Sequence, residues 1–222
     1  MIISSFEAQL IKIDIHANVD NDPVTIHFLP PVLRLIGVGT DAVVVQHPAL
    51  QERVFKVYAP ERIYKKEIEF DIYQHIGSSP YYCQCFRQGE NFIELSYEEG
   101  PTLYQCLERG IIIPWKVITD VEAARAYAVS VGLNPRDIHL KNVLLQQGGA
   151  KLIDVSEYKT PGNDGRWDYL VQGYKEFYHL VKGKKIPAWL LELVKNNYYM
   201  QVSDGFSVSE WGKTFIQFMG KL

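Results

Sequence analysis

The sequence predicts an α+β protein of two lobes, a β-rich N-terminal lobe over 1–97 followed by a helical C-terminal lobe over 98–222. Strand-like apolar runs crowd the first half, and helical spacing dominates after Glu98-Glu99-Gly100-Pro101. A composition of 47% hydrophobic and 22% charged residues suits compact units with a real core. A change of element type at one polar, Gly-Pro-containing stretch is what two adjoining lobes require, so the junction is placed near Ser96 to Gly100.

In chain order, Leu10 to His16 and Val24 to Phe28 alternate apolar and polar residues, the period of a half-buried strand, with Asn-Val-Asp-Asn-Asp-Pro as the turn between. These first strands are expected to extend the sheet. After Pro30-Pro31 come three further strands, Leu33 to Ile36, Val43 to Gln46 and Arg53 to Tyr58. A helix is expected after Pro60, with Ile63, Glu67, Phe70 and Ile72 to Ile76 in helical period and Gly77-Ser-Ser-Pro80 ending it. Strands at Tyr82 to Arg87 and Asn91 to Tyr97 follow. Helices are then expected at Leu103 to Glu108, Pro114 to Val131, Trp167 to Val181 and Pro187 to Tyr199. Between the second and third of these, Val143-Leu144-Leu145 and Lys151-Leu152-Ile153 flank Gln-Gln-Gly-Gly-Ala, which reads as a tight hairpin.

Several function classes are disfavoured. A net charge of −3 leaves no basic footprint, so no nucleic acid partner is expected. No apolar run approaches the roughly 20 residues that span a bilayer, so no membrane partner is expected either. The first residues lack the basic region and cleavage site of a signal peptide, which points to a cytoplasmic protein. Three cysteines, Cys83, Cys85 and Cys106, make an odd set without a matching fourth zinc ligand, and reduced structural thiols are expected.

The chemistry-bearing segment is Arg136-Asp137-Ile138-His139-Leu140-Lys141-Asn142, followed by Leu152-Ile153-Asp154-Val155-Ser156. An Asp, an Asn five residues on and a second Asp after a short strand fit a phosphoryl-transfer site. One carboxylate orients a hydroxyl, while an amide and a carboxylate hold magnesium against phosphates. The same pattern also occurs as an N-cap or Asx-turn. Upstream, Ile36-Gly37-Val38-Gly39-Thr40-Asp41-Ala42 is a glycine loop between strands, where backbone can lie close over phosphates. Lys56 sits mid-strand between apolar residues, either as an edge-strand lysine reaching solvent or paired with a helix carboxylate. Glu67, flanked by Ile63, Ile68 and Phe70, is the expected partner.

This ordered set resembles the protein-kinase-like superfamily over about Leu33 to Gly183: glycine loop, strand Lys, helix Glu, hinge, catalytic loop, metal Asp. The form is that of an atypical, minimal bacterial-type Ser/Thr protein kinase. The resemblance implies ATP and magnesium as the bound groups. It assigns Gly37, Gly39 and Ala42 to the phosphate loop, Lys56 to the α- and β-phosphates and Glu67 to bracing that lysine. By the same resemblance Leu95 is the gatekeeper, and the backbone of Ser96, Tyr97 and Glu98 meets the adenine edge. Asp137 orients the acceptor hydroxyl, Asn142 and Asp154 bind the metal, and Asp168 ties down the catalytic-loop backbone.

Departures from the family pattern are equally informative. The third loop glycine is Ala42, the histidine before Arg-Asp is Pro135, and Asp-Phe-Gly reads Asp154-Val155-Ser156. His139 stands where typical Ser/Thr kinases carry lysine; it either neutralises the transferred phosphate when protonated or packs in the loop. The stretch from Asp154 to Asp168 is short and has no Ala-Pro-Glu, so phosphorylation-controlled ordering is not expected. The leading expectation is a magnesium-dependent kinase using ATP on a hydroxyl, with protein Ser/Thr preferred and a small molecule as the alternative acceptor. The alternative is a non-catalytic nucleotide-binding scaffold.

Overall fold

The computed structural model describes residues 2–19, 22–147, 149–193 and 212. Five strands form the main sheet: β3 (Arg34–Val38), β4 (Ala42–Gln46), β5 (Arg53–Tyr58), β6 (Cys85–Gln88) and β7 (Phe92–Ser96). Their order is β3-β4-β5-β7-β6, and every neighbour is antiparallel. β5 is therefore the central strand, paired with β4 on one side and β7 on the other, which rules out the edge-strand reading of Lys56. β4 and β5 read as near-continuous apolar runs because both faces of the sheet are covered. Val54 and Tyr58 face the larger core, and Val43, Val45, Phe55 and Val57 face a second one.

That second core belongs to the N-terminal segment, and here the structure departs from expectation. Residues from Ile2 to Leu10 form a helix, α1, and only Asp14–His16 is a strand, β1. β1 pairs with β2 (Thr25–Phe28) as a separate two-stranded sheet, so these strands do not extend the main one. The alternation after Leu10 misleads because Leu10 closes a helix. Phe6 and Leu10, four apart, are both buried on the outer face of the sheet, with the Phe6 ring 4.3 Å from that of Phe55. The same segment touches the glycine loop, where the Val24 N–H donates to the Gly39 carbonyl at 2.8 Å.

α2 (Ile63–Ile76) follows a single 3-10 turn at Pro60–Arg62 and stops at Gly77, whose φ of 60° suits glycine. Its buried residues are Lys66, Glu69, Ile72, Tyr73 and Ile76, a face of helical period. After β7 the chain crosses to the second lobe. α3 (Leu103–Arg109) opens with a capping box between Thr102 and Gln105. α4 (Trp115–Ser130) buries Val117, Ile118, Val121, Ala124 and Ala128 at the spacing of one helix face. The hairpin of β8 (Val143–Gln146) and β9 (Gly149–Leu152) is where the sequence puts it. α5 (Arg166–Val181) and helical residues 188–193 complete the described C-terminal lobe; the rest of the helix expected at Pro187 to Tyr199 lies outside the described residues. Among the described residues no helix is long and apolar enough to cross a membrane.

Gly100 marks the crossing between lobes. Its φ is +141°, and a Cβ there would sit 2.4 Å from the Leu145 carbonyl oxygen. Gly100→Ala is therefore expected to cost about 1–3 kcal/mol from backbone strain and the clash. Chemical denaturation checks this, and an unchanged midpoint would refute the account.

Candidate functional site

The cleft between the sheet and the β8–β9 hairpin gathers most of the residues singled out above. Its apolar walls come from both sides, with Ile36, Val44 and Val54 from the sheet, Leu144 and Ile153 from the hairpin, and Leu95 behind them. Together they make an apolar slot. Leu95 is where the family resemblance puts the gatekeeper, whereas Ile36, Val44, Val54, Leu144 and Ile153 were not assigned to a site from the sequence, although each sits in a strand run or next to one. At the rim, Ser96 Oγ donates to Glu98 at 2.6 Å, and the Tyr97 N–H donates to the Glu52 carbonyl at 2.9 Å. The Glu98 carboxylate also accepts from Gln146 at 3.2 Å and lies 3.5 Å from Lys151. Among the described residues the backbone N–H of Glu98 makes no hydrogen bond, which leaves a donor at the rim of the slot. Gly37 and Gly39 lie over the cleft; nothing approaches within 4 Å of a Cβ built on Gly37, and Ala42 is buried at the start of β4.

Lys56 projects from β5 and is held between two carboxylates. Its Nζ donates to both oxygens of Glu69, at 2.9 and 2.6 Å, and stands 3.5 Å from Asp154. Glu69, not Glu67, is the helix partner. Glu69 is fully buried and also accepts from the Tyr58 hydroxyl at 2.6 Å, whereas the Glu67 side chain is 59% exposed and pairs with Lys66. The sequence pointed to Glu67 because apolar Ile63, Ile68 and Phe70 flank it, yet Ile63 and Ile68 are exposed. Lys66 disguises the inward face: its stem is buried and its ammonium caps the Gly89 and Glu90 carbonyls at 2.7 and 3.1 Å. Counting back from Ile76, Tyr73 and Ile72 by threes and fours reaches Glu69, which is the signal that could have found it.

Burial disfavours the Lys56 ammonium, but Asp154 and Glu69 more than offset this and raise its pKa above the ordinary value. Burial likewise raises Asp154, and Lys56 with the Ser156 N–H overcomes it, holding that carboxyl below the usual range. Burial pushes Glu69 up despite the lysine. One cation thus serves two acids, and Asp154 is the one left facing the cleft, with its side chain 34% exposed.

The loop carrying Asp137 is stitched by its own polar groups. Asn142 Nδ2 donates to the Asp137 carbonyl at 3.1 Å, and the Asn142 carbonyl accepts from Ile153 at 3.1 Å. The second bond sets Asn142 beside the strand end that leads to Asp154. With its amide nitrogen engaged, Asn142 has its amide oxygen to offer a cation. Asp137 adopts φ 56°, a region Asp tolerates better than most residues. Burial raises its carboxyl to about 6, although the Arg166 guanidinium in contact with it pulls the other way. His139 Nε2 lies 4.0 Å from the same carboxylate.

Asp168 does not hold this loop. It pairs with Arg125 at 3.0 Å, while the Asp137 N–H donates to Asp164 at 2.7 Å. The short 155–165 stretch brings the start of α5 directly under the loop, four residues earlier than the sequence pattern indicated. That stretch is pinned by Asn134 Nδ2, donating to the Thr160 and Gly162 carbonyls at 2.6 and 2.8 Å, and by Arg136, donating to the Pro161 carbonyl at 2.5 Å.

The cation-binding atoms on offer are oxygens from Asp154 and Asn142. Among the described residues no group of three or more His, Cys, Asp or Glu is placed to hold a metal. A site with one carboxylate and one amide fits a hard cation that keeps most of its shell for phosphate and water, and does not fit zinc.

No protein-family model matches the chain. It is 37% identical over 168 residues to the Bacillus subtilis (strain 168) protein named "Putative serine/threonine-protein kinase YrzF", covering 73% of this chain and 77% of that one. Among solved structures, the Mycobacterium tuberculosis PknI kinase domain matches at TM-score 0.47 and 22% identity, covering 70% of this chain and 76% of its own. A mutant of that domain scores the same at 21% identity. A likeness that loose adds nothing to the topology already described.

Proposed function

The chain belongs to the protein-kinase-like superfamily, and from that premise we propose that it is a magnesium- and ATP-dependent kinase transferring the γ-phosphate to a hydroxyl, with protein Ser/Thr the favoured acceptor. The observation that carries the proposal is the buried run Glu69–Lys56–Asp154 meeting Asn142 and Asp137 at one cleft. A cation held by two acids at the end of an apolar slot is costly to bury and has no structural need to open onto solvent.

In this reading Lys56 neutralises the α- and β-phosphates, with Glu69 fixing the direction of its ammonium. The loop of Gly37 and Gly39 closes over the phosphates with its backbone. Leu95 bounds the ring pocket, and Ser96, Tyr97 and Glu98 present backbone to the adenine edge. Asp154 and Asn142 hold magnesium, which supplies charge neutralisation at the transferred phosphoryl group. Asp137 takes the hydroxyl proton as the new O–P bond forms and the bond from the γ-phosphorus to the bridging oxygen breaks, releasing ADP; His139, when protonated, neutralises the transferred phosphate. Positioning and fixed charge supply the catalysis in this class, so these are the residues on which the proposed transfer depends.

The name of the Bacillus subtilis relative supports protein Ser/Thr as acceptor. A small-molecule hydroxyl is the second reading, favoured by the short 155–165 stretch, which offers little platform for a peptide.

The test is intact mass of the protein after incubation with magnesium-ATP, with ADP release followed in parallel. Added phosphate supports protein transfer, and ADP without added mass turns the reading toward a small acceptor. Neither signal over hours would overturn the kinase proposal in favour of a nucleotide-binding scaffold. In the same assay Asp154→Asn is expected to raise the magnesium needed for half-maximal turnover by at least about tenfold, since even outer ligands of a metal cost that much. An unchanged magnesium dependence would remove Asp154 from the metal site.

A further inference from the structure

We propose that Arg166, on the first turn of α5, is a positioning residue for phosphoryl transfer, holding the Asp137 carboxylate in its working direction in place of a loop lysine. The inference rests on the kinase reading above. Its ground is a device built from two carboxylates and one guanidinium. Asp164 accepts from the Asp137 N–H at 2.7 Å with one oxygen and from the Arg166 N–H at 3.1 Å with the other. A single side chain thus fixes the two backbones relative to each other. The guanidinium of Arg166 then donates to Asp137 Oδ1, and its Nε stands 3.9 Å from Asp164.

The loop itself does not provide this partner. His139 approaches Asp137 only to 4.0 Å, and the Lys141 ammonium is committed to Glu192 at 3.1 Å and to the Tyr104 ring at 4.6 Å. Arg166 and Asp137 both line the cleft and are both about a quarter exposed, so the pair sits at the wall an acceptor would reach. Asp137 also stands at a positive φ, a conformation that persists where its surroundings hold it, and its carboxylate direction is set by the contact with Arg166. The planar fork of an arginine supplies that tether with geometry an ammonium lacks.

The test compares the parent with Arg166→Met and Arg166→Lys. Initial rates use ATP with a degenerate Ser/Thr peptide mixture, and the Asp137 backbone amide and side-chain carboxyl signals are followed by NMR. Arg166→Met is expected to lower kcat on the order of 100-fold, the cost of a misplaced reacting group, with KM for ATP within about twofold. Its Asp137 amide signal should stay, because Asp164 is intact, while the carboxyl signal shifts. Arg166→Lys should fall between, and methylguanidine should restore part of the Arg166→Met rate. Unchanged kcat with an unchanged carboxyl signal overturns the proposal, as does a loss of rate caused wholly by a higher KM for ATP. A parent that transfers no phosphate to peptide, water or itself would sink the kinase reading, and the carboxyl signal then decides the Arg166–Asp137 pairing by itself.

Discussion

Glu69→Ala is expected to lower the stability of the protein by about 3 kcal/mol and to cripple turnover, while Glu67→Ala leaves both nearly unchanged. Removing one member of a buried ion pair typically costs about 3–5 kcal/mol, because the partner's charge stays behind without compensation. The lower end applies because Lys56 keeps Asp154 at 3.5 Å and is not wholly orphaned. Losing Glu69 also strands the buried Tyr58 hydroxyl, which donates to the same carboxylate. Activity suffers for a separate reason. Without Glu69 the ammonium turns to Asp154, neutralising the carboxylate assigned to magnesium and leaving the phosphate position. Among the described residues Glu67 pairs only with its neighbour Lys66, whose buried ammonium keeps the Gly89 and Glu90 carbonyls without it, and changes at so exposed a side chain stay within about 0.5 kcal/mol. Urea melts and initial rates on the two variants settle the matter; a costlier Glu67→Ala would contradict the Glu69 assignment.

Asp137→Asn is expected to cut transfer by about 10²–10⁴-fold, the range for loss of a general base, and to spare nucleotide binding. The substitution is nearly isosteric and keeps the Asp137 N–H on Asp164 and the Asp137 carbonyl on Asn142. The loop should therefore hold its shape. What changes is that the amide can no longer accept the hydroxyl proton, and that Arg166 loses its anionic partner. ATP affinity, read by calorimetry with magnesium, should move by less than about threefold while kcat collapses. A variant that turned over ATP like the parent would show that Asp137 does not act on the hydroxyl.

Much of the fold could be read along the chain because its hydrophobic runs are local. β3, β4, β5 and β7 appear as short apolar stretches, and α4 and α5 carry apolar residues at helical spacing. Lys56, Asp137, Asn142 and Asp154, which lie in strands or tight loops, do line one cleft, because the short elements that carry them leave little choice of side-chain direction. Two assignments failed where side-chain direction depends on packing. On α2, Glu67 and Glu69 differ by two residues and hence by more than half a turn of the helix, so whichever face meets the sheet chooses the glutamate. The buried face was hidden because it includes Lys66, a residue type that is rarely buried. At the start of α5, Asp164 and Asp168 are four apart in polar surroundings, and the path of the 155–165 stretch decided that Asp164 reaches the loop. α1 was missed for a related reason: Phe6 and Leu10 already had helical spacing, but the alternating residues beyond them suggested a longer strand.

The sequence by itself determined the order of elements after Pro30, the change from strands to helices along the chain, and the set of charged residues that could carry phosphoryl transfer. It did so because hydrophobic period, turn chemistry and residue type act over a few residues. Only the tertiary structure decided which glutamate meets Lys56, which aspartate clamps the loop, and that an arginine from α5 faces Asp137. Those choices turn on directions in space: a helix rotated by one residue swings a side chain through about 100°, and that rotation is set by the burial of the whole face.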